Sequence, residues 1–114
     1  MKIDVHTGHT PQTGKAPGAS GYVHESVEDR KITKEVVKLL RRAGHTVYNS
    51  TSEGRSVQDN LFRIVKKVNS HKIDLSVSIH LNCSNGDGHG TEAFVYSNDS
   101  KAKKYAEKSC RNIE

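Results

Sequence analysis

The sequence is poor in the residues that build large apolar cores. It has no Trp, only two Phe among its 114 residues, and a hydrophobic fraction of 32%. This length and composition predict a single small domain with a thin core. A bound metal ion would add stability to such a domain, because ligation in the folded state contributes to the folding free energy.

Long apolar runs and dense cysteine patterns are also missing. No stretch is long enough to cross a membrane, and no cationic start leads into an apolar segment typical of a signal peptide. We therefore expect no membrane insertion, and synthesis in the cytoplasm unless an export signal has been removed. Cys83 and Cys110 lack CxxC spacing, which favours free thiols in a reducing compartment.

Positively charged residues outnumber negatively charged ones, which gives a formal net charge of +5. This favours an anionic partner such as nucleic acid, a membrane surface or the anionic polymers of a bacterial wall, although a charge of this size is also ordinary for a solvated surface. A nucleic-acid interface would use the Arg41-Arg42 and Lys66-Lys67 pairs. We expect no nucleic-acid partner, because few aromatic residues are present to stack on bases.

The hydrophobic pattern predicts alternating strands and helices. Strands are expected at residues 2–5, 46–49 and 74–79, with helices that begin at the N-caps Ser26 and Ser56; Asp29 completes a capping box, and Gly44 ends the first helix. This order implies an α/β fold, with a mostly parallel twisted sheet and helices on both faces. A fourth strand at residues 91–96 is expected to run antiparallel, because the preceding loop is too short for a parallel crossover.

Each helix is predicted to bury one apolar face. The expected inward residues are Ile32, Val36, Leu39, Leu40 and Ala43 in the first helix, Val57, Leu61, Ile64, Val65 and Val68 in the second, and Ala102, Tyr105, Ala106, Cys110 and Ile113 in the last.

Three polar residues lie where a site would form at the carboxyl edge of this sheet. His9 follows the first strand, Glu25 precedes the first helix, and His80 ends the third strand. Two imidazoles and one carboxylate form a ligand set for catalytic zinc that leaves a fourth position for water. Glu25 also fits a simpler role beside the helix dipole, and rival histidine ligands are available at His6, His24 and His89.

Four segments carry a family resemblance in their order along the chain. They are residues 3–9 with the Gly8-His9 turn, residues 18–25 with His24-Glu25, residues 74–82 with a Ser-Ile-His-x-Asn motif, and residues 90–96 with a Gly-x-Glu strand. Together they resemble the zinc-dependent N-acetylmuramoyl-L-alanine amidases of the amidase-3 class, found as phage endolysins and bacterial autolysins. The resemblance extends from residue 1 to about residue 98.

The resemblance implies a site, a cofactor and a substrate. His9, Glu25 and His80 would bind Zn²⁺, and Asn82 would line the substrate-binding site. A zinc-activated water would hydrolyse the amide bond between N-acetylmuramic acid and L-alanine in bacterial peptidoglycan. The missing signal peptide would suit a phage lysin, or a sporulation or autolytic enzyme, that acts at the cell wall.

The sequence also departs from the family pattern. Thr10-Pro11 follows the Gly-His pair where the family usually has Gly, and the family's catalytic glutamate on a later strand has no match; neither Glu92 nor Glu114 fits it. We therefore expect residues 1–114 to form an amidase-like catalytic domain incomplete at its C-terminal end. Zinc binding with weak or absent hydrolysis is predicted. The alternative is a non-catalytic cell-wall-binding domain with an amidase fold.

Overall fold

The computed structural model describes residues 1–8, 25–52, 56–81 and 91–113. The chain divides into two compact units, Met1–Cys83 and Ser84–Glu114. The first unit contains β1 (Lys2–Thr7), α1 (Glu25–Arg42), β2 (Thr46–Asn49), α2 (Val57–Asn69) and β3 (Leu75–Ile79), and the second contains α3 (Lys103–Ile113). Among the described residues, no helix is both long and apolar enough to cross a membrane.

The three strands form one parallel sheet with β1 at its centre, in the order β2-β1-β3. Ile3 lies opposite Val47 of β2 on one side and Leu75 of β3 on the other. The prediction of a parallel α/β arrangement is therefore confirmed for these elements. Parallel pairing also brings the carboxyl ends of the three strands to the same edge.

The core lies between α1 and one face of the sheet. It is built from four buried residues of modest size, Ile3, Val5, Val37 and Val47, with partly buried side chains packed around them. Tyr48, the next residue after Val47, points to the opposite face because side chains alternate along a strand. Its ring stacks on His71, just after α2, with ring centroids 3.8 Å apart.

The buried face of α1 only partly matches the predicted one, in that Val36 and Leu40 pack against the core as expected. Asp29, Thr33 and Val37 are buried at intervals of four residues, whereas Ile32 and Leu39 are 38% and 56% exposed. The reason is a polar contact with β1, in which the hydroxyl groups of Thr33 and Thr7 lie 2.9 Å apart. Helix α1 also begins at Glu25, so the predicted N-cap at Ser26 is wrong by a residue or more.

The predicted start of α2 and the predicted end of α1 agree with the structure, whereas β1 continues to Thr7, two residues beyond its predicted end. Ser56 is the N-cap of α2, and its hydroxyl accepts a hydrogen bond of 3.1 Å from the Asp59 amide. Gly44 follows α1 with a φ of 97°, the left-handed conformation expected after a helix. The apolar face of α2 is only partly buried, since Ile64 is enclosed but Leu61 and Val65 are exposed.

In the second unit, the predicted inward face of α3 is largely confirmed. Ala102, just before the helix, and Tyr105, Ala106 and Cys110 within it are all partly buried. Cys110 is a free thiol, while Cys83 lies outside the described residues. Residues 91–96 contain no assigned strand, so the antiparallel fourth strand remains a prediction.

Candidate metal centre at the carboxyl edge of the sheet

The carboxyl ends of β1 and β3 are held together at the edge where a site was predicted. The Gly8 amide donates a hydrogen bond of 3.2 Å to the Ile79 carbonyl, which extends the pairing of the two strands by one residue. On the other side, the Asn60 side chain of α2 donates to the Gly8 carbonyl at 3.5 Å. The backbone of Gly8 is therefore fixed from both β3 and α2.

His80, the first residue after β3, packs directly against Gly8. A Cβ atom placed on Gly8 would overlap the His80 imidazole, so any larger residue at this position would require the ring to move. The hydroxyl group of Ser78 lies 3.1 Å from His80 Nε2 and also restrains the ring. The contact places His80 beside the residue that precedes His9 in the sequence.

A buried carboxylate–imidazole pair lies on the same face of the sheet as Ser78. Asp4 is fully buried, and its Oδ2 accepts hydrogen bonds of 2.7 Å from both His6 Nδ1 and the Ser76 hydroxyl. The register explains this grouping, because Asp4 lies opposite Ser76 and His6 lies opposite Ser78. A polar row therefore runs along this face toward the edge that carries His80.

The charge state of Asp4 fixes the orientation of His6. Burial alone would raise the pKa of Asp4. Hydrogen bonds from His6, Ser50 and Ser76, together with the charge of His6, outweigh the effect of burial and lower the pKa of Asp4 below 3.8. An ionised carboxylate only accepts hydrogen bonds, so His6 donates through Nδ1. When the imidazole is neutral, its Nε2 carries the lone pair.

Sequence reasoning treated His6 only as a rival ligand and gave Asp4 no role. The available signal was the spacing of Asp4 and His6, which places both side chains on one face of a strand. Their partner Ser76 lies 72 residues further along the chain, and only the β1–β3 register reveals it.

Only some of the predicted site residues lie within the part of the chain that the structure describes. His80 is described in full, and Glu25 is located as the first residue of α1, although its side chain lies outside the described part. His9 and Asn82 lie outside the described residues, as do the rivals His24 and His89. Within the described residues, no three His, Cys, Asp or Glu side chains are grouped closely enough to hold a metal. The ligand set His9, Glu25 and His80 thus remains a prediction.

Comparison with known proteins identifies the family. The family model for N-acetylmuramoyl-L-alanine amidase of the amidase-3 type matches residues 3–114. The chain therefore belongs to the amidase-3 family. The match continues past residue 98, where the resemblance read from the motifs ended.

Two relatives from Clostridium perfringens are also similar to the chain. An uncharacterised protein of strain 13 is 34% identical over 116 residues, covering 99% of this chain and 34% of the relative. An uncharacterised 38.4 kDa protein is 36% identical over 110 residues, covering 94% of this chain and 31% of the relative. The chain thus spans about a third of the length of these curated relatives.

Proposed function

We propose that this chain carries the metal site of a zinc-dependent peptidoglycan hydrolase. The reaction is cleavage of the amide bond between N-acetylmuramic acid and L-alanine. Family membership supports the amidase class. The main structural support for the site is the packing of His80 against Gly8, where β3 and β1 end side by side.

In this proposal, His9, Glu25 and His80 hold the zinc ion. His9 follows Gly8 in the sequence, and Glu25 is the first residue of α1, which connects β1 to β2. Two nitrogen donors and one carboxylate suit zinc and leave a position for water. A zinc ion bound there would lower the pKa of its water to about 7 and polarise the scissile carbonyl group.

The surrounding residues orient the proposed ligands. Gly8 allows the His80 ring to lie against the backbone, and the Ser78 hydroxyl restrains that ring. Asp4 holds His6, which is not one of the proposed ligands, in one orientation on the same polar row. Asn82, two residues beyond His80, is proposed to contact the substrate. Such outer contacts tune a metal site because they fix the direction of each ligand.

The proton-transfer residue of the reaction is not assigned to this chain. No residue among the 114 matches the family's catalytic glutamate. A missing general base typically lowers the rate by about 10²–10⁴-fold. We therefore propose that residues 1–114 form an incomplete catalytic domain that binds zinc and hydrolyses walls slowly at best.

Wall digestion tests this function. Purified walls are incubated with the zinc-loaded chain, and newly exposed N-terminal alanine is quantified over long incubations. His80→Ala should abolish the release, whereas His45→Ala should retain it, because His45 contacts the chain terminus near Met1 instead of the proposed site. Release that is independent of His80 would contradict the proposal. Zinc binding without any release would fit an incomplete catalytic domain, whereas wall binding without zinc would favour the non-catalytic wall-binding alternative.

A further inference from the structure

Two neighbouring basic cavities flank the edge strand β2. The first, of about 780 Å³, is lined by the cations Arg30, Arg63, Lys66 and Lys67. The second, of about 560 Å³, is lined by the cations Lys34, Lys38, Arg41 and Arg42. Among the described residues that line them, neither cavity has an Asp or Glu, and both cavities share Asn49 at the end of β2. We call these eight cations the basic band.

The basic band is extended along the molecule. Its α1 members, from Arg30 to Arg41, recur every three or four residues and therefore follow one side of the helix. Eleven residues of helix correspond to about 16 Å at 1.5 Å per residue. The α2 members lie across the first cavity from Arg30. A band of this length matches a ligand with several charges along a chain better than a single small anion.

Three members of the band are fixed by backbone contacts along β2 and the segment after it. Arg41 donates to the Val47 carbonyl at 2.9 Å, Lys67 to the Thr51 carbonyl at 3.0 Å and Arg30 to the Ser52 carbonyl at 3.2 Å. A neutral carbonyl orients a cation without cancelling its charge. Arg63 also pairs with a carboxylate, that of Asp59, at 3.0 Å. The band as a whole retains a strong positive charge.

We propose that the basic band binds a flexible polyanion whose repeating units are joined by phosphodiester groups, of the polyol-phosphate type attached to bacterial walls. Arg and Lys side chains both recognise phosphate groups, and the Thr51 hydroxyl group in the first cavity adds a neutral hydrogen-bond donor. Nucleic acid shares the phosphodiester chemistry, but among the described lining residues of both cavities there is no aromatic side chain on which a base could stack. The inference rests on the proposed function in one respect only: the proposed function places the protein at the bacterial wall, where such polymers are attached.

Binding of a synthetic glycerol-phosphate oligomer tests the proposal. The triple variant Lys34→Gln, Lys38→Gln, Lys66→Gln removes three charges from the band. Its matched control, Lys103→Gln, Lys104→Gln, Lys108→Gln, removes the same number of charges from α3 in the second unit. We expect the band variant to weaken binding by roughly tenfold or more and to reduce its salt dependence, because each phosphate contact releases counterions. The control should change the Kd by less than about twofold.

Three results would overturn the inference. One is equal weakening by both triple variants, which would show that only net charge matters. The second is an absence of oligomer binding at moderate salt. The third is equal or tighter binding of single-stranded DNA or polyglutamate of the same charge, which would assign the band to another polyanion. His80→Ala should leave oligomer binding unchanged, so failure of the zinc proposal and failure of this one are distinguishable.

Discussion

The His80 imidazole packs so closely against the Gly8 backbone that a Cβ atom at residue 8 would overlap the ring. His80 follows the end of β3 and Gly8 follows the end of β1. The Gly8 amide donates a hydrogen bond to the carbonyl of Ile79, the residue before His80. This contact joins two of the sequence segments that carry the family resemblance. The position of His80 therefore depends directly on the absence of a side chain at residue 8.

Gly8→Ala should displace His80. The added methyl group overlaps the ring, which must turn away. Because His80 is exposed, we expect a loss of at most about 1 kcal/mol in the free energy of unfolding, measured in urea, together with weaker zinc binding. Gly44→Ala is the matched control. It strains a backbone with a φ of 97° and should cost about 1 kcal/mol, but it should leave zinc binding intact. Wild-type stability and zinc affinity in Gly8→Ala would refute the proposed contact.

Asp4 should make the stability of the protein depend on pH in acid. Its pKa in the folded state is lower than the value of 3.8 expected for the unfolded chain. Between the folded and the unfolded pKa, the unfolded state therefore binds more protons than the folded state. Its stabilising contribution is thus present above pH 3.8 and lost as the pH falls through the folded pKa. Acid titrations of the unfolding free energy should show this loss in the wild type and a reduced loss in Asp4→Asn.

Ser76→Ala provides a graded test of the same network. It keeps the carboxylate of Asp4 but removes one of its hydrogen-bond donors, so the pKa of Asp4 should rise towards 3.8 and the acid dependence should become shallower. At neutral pH we expect a loss of about 1–3 kcal/mol, because a buried oxygen loses a partner. Identical acid profiles for the wild type and both variants would contradict the assigned network.

The N-cap of α2 provides a separate stability prediction. Ser56→Ala removes the hydroxyl group that accepts from the Asp59 amide and should lower the free energy of unfolding by about 1 kcal/mol. Ser56→Asp retains an acceptor at the same place and should preserve most of the stability. A thermal or urea unfolding series in which both variants behave alike would exclude this capping role.

Local signals predicted much of the first unit. The alternation of strands and helices, the cap at Ser56 and the left-handed Gly44 are properties of short segments, and the structure confirms each of them. The edge position of His80 followed from the same order, because parallel strands end together.

Long-range contacts account for what the sequence did not predict. The hydroxyl groups of Thr33 and Thr7, 26 residues apart, are in contact inside the protein, and an apolar pattern that correctly placed Val36 and Leu40 gave no sign of this buried polar contact. The Asp4–Ser76 bond depends on the register of β1 and β3. Periodicity describes one element at a time, and neither contact could be deduced from it.

The most direct test is the zinc content of the purified chain, measured by elemental analysis after removal of loosely bound metal. The proposed centre predicts about one zinc per chain, loss of that zinc in His80→Ala, and retention in His45→Ala. A chain that binds no zinc, or binds it equally well without the His80 imidazole, would contradict the metal centre on which the proposed hydrolysis depends.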